Sequence, residues 1–376
     1  MKNIPILLLI LVGSLANYAQ PQVKGSVLHF YVGTYTNTES EGIYKFGLDQ
    51  TTGKLHSNGL AALSENPSYL ALTKDGKYLL AVRETRDENN QNTGYIELFN
   101  VDENGNLSSI NMVSSGGAHT CHVAVNDDGA IIACNYTGGN VALMKIDSTG
   151  ELSQTTSVIQ HTGQGFDPKR QDKPHVHSAL FEPQGKRIFV ADLGIDRIKV
   201  YTIDGKTFVL KPDKYPEIKM VPGSGPRHMA LHPNGKLLFV ANELSSSVSV
   251  IQLMKNGSYR IAETVSTLPA DFSKPNTCAD IHLSPDGNFL YVSNRGMNSI
   301  AIFAVQEKEQ KVRLIGHEDT KGEMPRNFTL TPKGDFLLAA NQNTDNIVAF
   351  RRDAATGLLT FTDQINAFKP VCLLFK

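Results

Sequence analysis

The residues best equipped for chemistry recur at fixed offsets from six glycines, Gly76, Gly129, Gly185, Gly235, Gly287 and Gly334. Eight positions before each glycine stand Ser68, Cys121, His177, Arg227, Ala279 and Arg326, and seven before stand Tyr69, His122, Ser178, His228, Asp280 and Asn327. Seven after stand Arg83, Tyr136, Asp192, Asn242, Asn294 and Asn341, and eight after stand Glu84, Thr137, Leu193, Glu243, Arg295 and Gln342. Arg227, Arg295 and Arg326 can grip a phosphate or carboxylate with paired N–H groups. His177 can move a proton near neutral pH. Glu243 can pair with Arg227 or activate a water, and an arginine in a partly closed channel can hold the oxyanion of an attacked ester. The set therefore points to acid–base chemistry on an anionic small molecule. A solvated rim of strand ends accounts for the Asn and Ser at these offsets but less well for His177, Arg227, Glu243, Arg295 and Arg326.

Other chemistries lack their signatures. There is no G-x-S-x-G elbow, phosphate-binding P-loop or H-E-x-x-H motif. Asn135-Tyr136-Thr137-Gly138-Gly139-Asn140 runs from strand to strand and reads as a turn. His175-x-His177 and Asp280-x-His282 are alternate-residue pairs of the kind that share a strand face. With no third cluster at ligand spacing, no metal and no cofactor are expected. The four cysteines, Cys121, Cys134, Cys278 and Cys372, lie in apolar runs without CxxC spacing and read as buried thiols. Cys121 and Cys134 are equidistant from the turn Asn126-Gly129. They are expected to face each other across a hairpin, where sheet geometry strains a disulfide and free thiols are favoured.

The glycine spacings of 53, 56, 50, 52 and 47 residues define the elements that must carry these side chains. Each copy reads as an apolar strand, a Pro/Asp/Asn-Gly turn and a second apolar strand ending in a polar cluster, as in GPRHMALHPNGKLLFVANE. A third strand, such as Ser247-Val250, and a weaker fourth follow. Four strands per repeat of about 50 residues is the pattern of a β-propeller. Helical periodicity is absent. Phe30-Tyr35 matches a second strand and Pro370-Phe375 a first strand, so the two chain ends together complete a seventh blade. The fold expected is all-β: a seven-bladed propeller over residues 25–376 with four antiparallel strands per blade, closed by pairing of its N- and C-terminal strands, which removes exposed sheet edges.

Lys plus Arg total 36 and Asp plus Glu 37, a balance that offers no electrostatic footprint for nucleic acid. Lys2, the apolar run Ile4-Val12 and the small-residue end at Ala19 follow the order of a secretory signal peptide, so residues 1–19 are expected to direct export to the periplasm or beyond. The run is shorter than the roughly 20 residues of a spanning helix, and no membrane association beyond this signal is expected. The mature chain is expected to be a monomer acting on a small-molecule ligand.

Through His177-Ser178, Gly225-Pro226-Arg227-His228-Met229, Asn242-Glu243-Leu244, Ala279-Asp280-Ile281-His282 and Pro325-Arg326, the chain resembles the propeller-type 6-phosphogluconolactonases and the related fungal carboxy-muconate lactonizing enzymes. The resemblance spans essentially the whole mature chain. It implies a catalytic set of His177, Arg227, Glu243 and Arg295. His122, His228 and His282 fall at recurrent family positions and, with Tyr136, Asp280 and Arg326, make up the expected substrate-binding set. The implied activity is hydrolysis of the ring ester of an anionic sugar lactone. The alternatives are a muconate-type cycloisomerase, which adds no water, and a non-catalytic propeller that binds a glycan or protein.

Overall fold

The computed structural model describes residues 27–86, 91–183 and 187–376. The leader segment 1–19 and the turn residues Gln184 and Gly185 lie outside these. Seven four-stranded antiparallel sheets make up the molecule, and the one helical element among the described residues is the short 3-10 turn Leu193–Ile195. Each sheet begins at the centre of the disc with a short inner strand. In chain order these are Leu70–Leu72, Thr120–Val125, Val176–Phe181, Pro226–Leu231, Thr277–Leu283, Pro325–Leu330 and Pro370–Phe375. Neighbouring inner strands pack against one another around the ring, and the last packs against the first.

The ring closes as the repeat implies. Val27–Thr34 lies antiparallel between Pro370–Phe375 and Gly42–Asp49, with Phe30 opposite Phe375 and Val32 opposite Leu373. Burial explains the strand sequences. Second strands such as Ala130–Asn135, Leu237–Asn242 and Phe336–Asn341 are buried at every residue because another blade covers each face, so they read as continuous apolar runs. Fourth strands such as Leu107–Ser114 and Leu359–Asn366 are largely exposed, which is why they read weakly. The apolar side chains between blades form one cluster per interface, for example Leu80, Val82, Val123, Ile131 and Ala142. In the first hairpin turns Gly129 and Gly287 adopt φ of 76° and 74°, where a Cβ would strain the backbone.

Candidate active site

The inner strands are irregular where the chemistry-bearing residues stand. Thr120 pairs with Asn135 and His122 with Cys134, so Cys121 has no opposite residue. His177 is extra between the pairs Val176–Asp192 and Ser178–Ala191, and Arg326 between Pro325–Asn341 and Asn327–Ala340. Arg227 and His228 stand together against Ala241, and Ala279 and Asp280 against Ser293. A β-bulge of this kind bends the strand and re-aims its side chains. It also corrects an expectation from the repeat: Cys121 does not face Cys134, because the extra residue shifts the register and brings His122 opposite. All four cysteines are free and buried.

The bulges divide the expected site in two. His177, Arg326 and Cys121 line a pocket of about 230 Å³ on the face where second strands end, together with Glu84, Tyr136, Glu243 and Arg295. His122, Ser178, His228, Asp280 and His282 instead line a separate cavity of about 620 Å³ that runs down the channel to the turn residues Pro233 and Pro285. The expected single cluster is thus two layers: consecutive residues of an inner strand, such as Cys121 and His122 or His177 and Ser178, line different cavities.

The pocket end is held by a repeated pin. Asn242, Asn294 and Asn341 close their second strands fully buried. Asn294 donates from Nδ2 to the Thr267 carbonyl at 3.1 Å, and its Oδ1 accepts from Thr267 Oγ1 at 2.8 Å and from Asn276 Nδ2 at 3.0 Å. The residue after the pin then enters the pocket: Tyr136 after Asn135, Glu243 after Asn242, Arg295 after Asn294.

Glu243 is the hub. Its Oε2 lies 3.0 Å from Arg227 Nε and 2.8 Å from Arg295 Nη2, and its Oε1 accepts from Arg170 Nη2 at 2.6 Å. Burial pushes the carboxyl upward, but Arg295, Arg227 and Arg170 together hold it far below the usual carboxylate range. Arg227 is 2% exposed, is not among the pocket-lining residues and also donates from Nη1 to the Ala279 carbonyl at 2.5 Å. Burial, with Arg295 and Arg326 nearby, lowers its pKa to about 10. Arg326 stacks over Tyr35 at 5.6 Å and donates to its hydroxyl at 3.1 Å. Four guanidiniums thus meet two carboxylates, Glu243 and Glu84, which makes the pocket a basin for anions.

His177 is 4% exposed. Burial first, then Arg227, His228 and Arg326, push its pKa well below 6.5, so the ring is neutral at physiological pH. Its Nδ1 stands 3.9 Å from Cys121 Sγ, and the Tyr136 ring packs on the imidazole in a T-shaped contact with ring centroids 5.4 Å apart. Burial raises the Cys121 thiol to about 12, which leaves it a poor nucleophile.

The larger cavity is the less reactive one. Asp280 accepts from His228 Nδ1 at 2.7 Å, His282 Nε2 at 3.1 Å and Asn327 Nδ2 at 2.5 Å. Its carboxylate is therefore saturated. Burial, opposed by Asp280, lowers His228 to about 4, whereas Asp280 outweighs burial at His282 and raises it. His122 stacks on Tyr69 at 4.2 Å. Among the described residues no cluster of three or more His, Cys, Asp or Glu converges as metal ligands. His175 does not line the pocket; it stacks on Tyr136 and hydrogen-bonds the Tyr136 carbonyl through Nδ1 at 3.1 Å.

Glu84, His119, Cys121 and Arg170 line the pocket but were not in the expected site. Glu84 stands at the same offset as Glu243 and was open to the same reading. Arg170 lies in the segment between Ser157–Gln160 and Val176–Phe181, outside any offset. The one trace of that segment in the sequence is the 56-residue spacing, the longest of the five.

Against known proteins, the family model described as lactonase, 7-bladed β-propeller, matches residues 29–375. The chain is 37% identical over 349 residues to the 6-phosphogluconolactonase of Bacillus subtilis, covering 92% of this chain and 97% of that protein. It is 38% identical to the 6-phosphogluconolactonase of Formosa agariphila, covering 88% and 94%. The solved periplasmic gluconolactonase PpgL of Pseudomonas aeruginosa superposes with a TM-score of 0.87 at 30% identity, covering 93% of this chain and 99% of that one.

Proposed function

The chain belongs to the seven-bladed β-propeller lactonases and is a lactone hydrolase, and on that premise we propose that its substrate is an anionic sugar lactone opened by water with His177 as general base. The observation that carries this reading is a neutral, buried imidazole facing a pocket in which guanidiniums outnumber carboxylates. With Nδ1 against Cys121, Nε2 is the nitrogen left to meet a water. Water oxygen attacks the ester carbonyl and its proton passes to Nε2. Arg295 and Arg326, both lining the pocket, stabilise the oxyanion. The ring C–O bond then breaks, and the imidazolium returns the proton to the departing ring oxygen. The product acid ionises to solvent. Glu243, ionised among three guanidiniums, is too weak a base to compete and serves to hold them in place.

The test is hydrolysis of 6-phosphogluconolactone and glucono-δ-lactone, measured above the spontaneous rate. His177→Ala is expected to lower kcat by about 100-fold or more with a smaller change in KM. An unchanged rate removes His177 from the chemistry. Product mass separates hydrolysis, which adds water, from isomerisation. The leader reading of residues 1–19, supported by the periplasmic PpgL, extends the proposal to export. Secreted or periplasmic protein beginning near Gln20 is the expected finding on cell fractionation. Full-length protein confined to the cytoplasm contradicts it.

A further inference from the structure

Arg227, Arg295 and Arg326 arise from the blade repeat, but Arg170 does not, and its setting differs. Its side chain is 41% exposed, against 2% for Arg227 and 7% for Arg295. Arg227 and Arg295 each spend an N–H on a backbone carbonyl, of Ala279 and Cys278 respectively. The hydrogen bonds of Arg170 both leave from Nη2, to Glu243 Oε1 at 2.6 Å and to the Tyr136 hydroxyl at 3.4 Å. Its Nε and Nη1 make no hydrogen bond among the described residues, and the side chain lines the pocket.

The loop beneath it is braced. Gln171 is fully buried and donates from Nε2 to the Leu193 carbonyl at 2.8 Å, while its Oε1 accepts from the Asp167 N–H at 2.9 Å. The main chain closes the same turn, with the Gln171 N–H on the Asp167 carbonyl at 2.7 Å and the Gly165 N–H on the Gln171 carbonyl at 2.9 Å. Arg170 is therefore presented at a set place, and Tyr136 gives the scale of that place. The tyrosine ring packs on His177 and its hydroxyl meets Arg170. Arg170 and the imidazole thus contact one aromatic side chain at different points, the hydroxyl and the ring, and both line the pocket, so one substrate can meet both.

We propose that Arg170 is the specificity-determining residue of this pocket, reading a second anionic group, phosphate or carboxylate, remote from the ester of the lactone. This rests on the lactonase reading above. When such a group arrives, the free N–H fork takes it while Nη2 stays on Glu243. Arg295 and Arg326 remain for the ester end.

The experiment compares wild type, Arg170→Gln and Arg170→Lys on three substrates: 6-phosphogluconolactone, the carboxylated glucaro-1,4-lactone, and uncharged glucono-δ-lactone. For Arg170→Gln, kcat/KM on the anionic substrate that wild type prefers is expected to fall, mainly through KM, by at least about tenfold more than on glucono-δ-lactone. Arg170→Lys, which keeps the charge but not the fork, should recover part of the loss. Which anionic lactone wild type prefers tells phosphate from carboxylate. An equal fall on charged and uncharged substrates overturns the proposal, because Arg170 would then act only as a clamp on Glu243. So does no change, or a wild type without preference for either anion. Failure of wild type on all three lactones sinks the lactonase reading itself and is seen before any variant is made.

Discussion

At the scale of single residues the site is governed by which charges are free. Glu243 reads in the sequence as a candidate base, but the three guanidiniums around it hold its carboxyl far below the usual carboxylate range. His177 has no such partner and stays neutral. A base whose pKa lies well below 6.5 remains competent in mild acid. The enzyme-dependent kcat/KM, corrected for spontaneous opening, is therefore expected to hold nearly level as pH falls from 8 through 6.5. A half-maximal point at about 6.5, the ordinary imidazole value, would show that another histidine titrates or that His177 is hydrated. Stability follows the same sign. His122, His177 and His228 have folded pKa values below 6.5, so their contribution is present above that pH. It is lost as pH falls toward the folded values, about 4 for His228, because the unfolded chain binds protons that the fold excludes. His282, raised by Asp280, contributes in the opposite sense.

At the scale of elements, the blade pattern was readable because second strands are buried on both faces and turn glycines recur. The bulges were not readable. One extra residue leaves the apolar alternation on either side intact, so Cys121 looked opposed to Cys134, and His228 and Asp280 were gathered into one site with Arg227 and His177. The candidate residues were therefore found by offset, but their division into two layers was not. Arg170 was invisible for another reason: its loop is braced by Gln171 contacts, which leave no periodic trace. The pins offer a direct test of how elements aim side chains. Asn294→Ala removes the bonds to the Thr267 carbonyl, Thr267 Oγ1 and Asn276 Nδ2, leaving the carbonyl only His317 Nε2 and the amide only Ser246 Oγ. It is expected to cost about 2 kcal/mol, read from the urea midpoint at unchanged m, and to loosen Arg295 beside it. A loss of only a few tenths would mean that water replaces the pin at no cost.

At the scale of the whole molecule, seven blades share one cooperative ring because the last strand of the chain is the innermost strand of the first strand's sheet. Removing Leu373–Lys376 deletes the partners of Val32, Tyr31 and Phe30 and opens an apolar edge. The expected result is loss of a single sharp thermal transition together with aggregation, whereas removing Lys376 alone should leave the transition in place. Survival of one sharp transition in the longer deletion would show that six blades hold the ring without the seventh. The same closure sets a clock on biogenesis. Val27 is among the first residues of the disc to leave the ribosome and Phe375 is next to last in the chain. At roughly 5–20 residues per second, the opening strand waits tens of seconds for its neighbour. Throughout that interval the nascent chain carries an unfinished blade whose apolar edge waits for the strand that covers it.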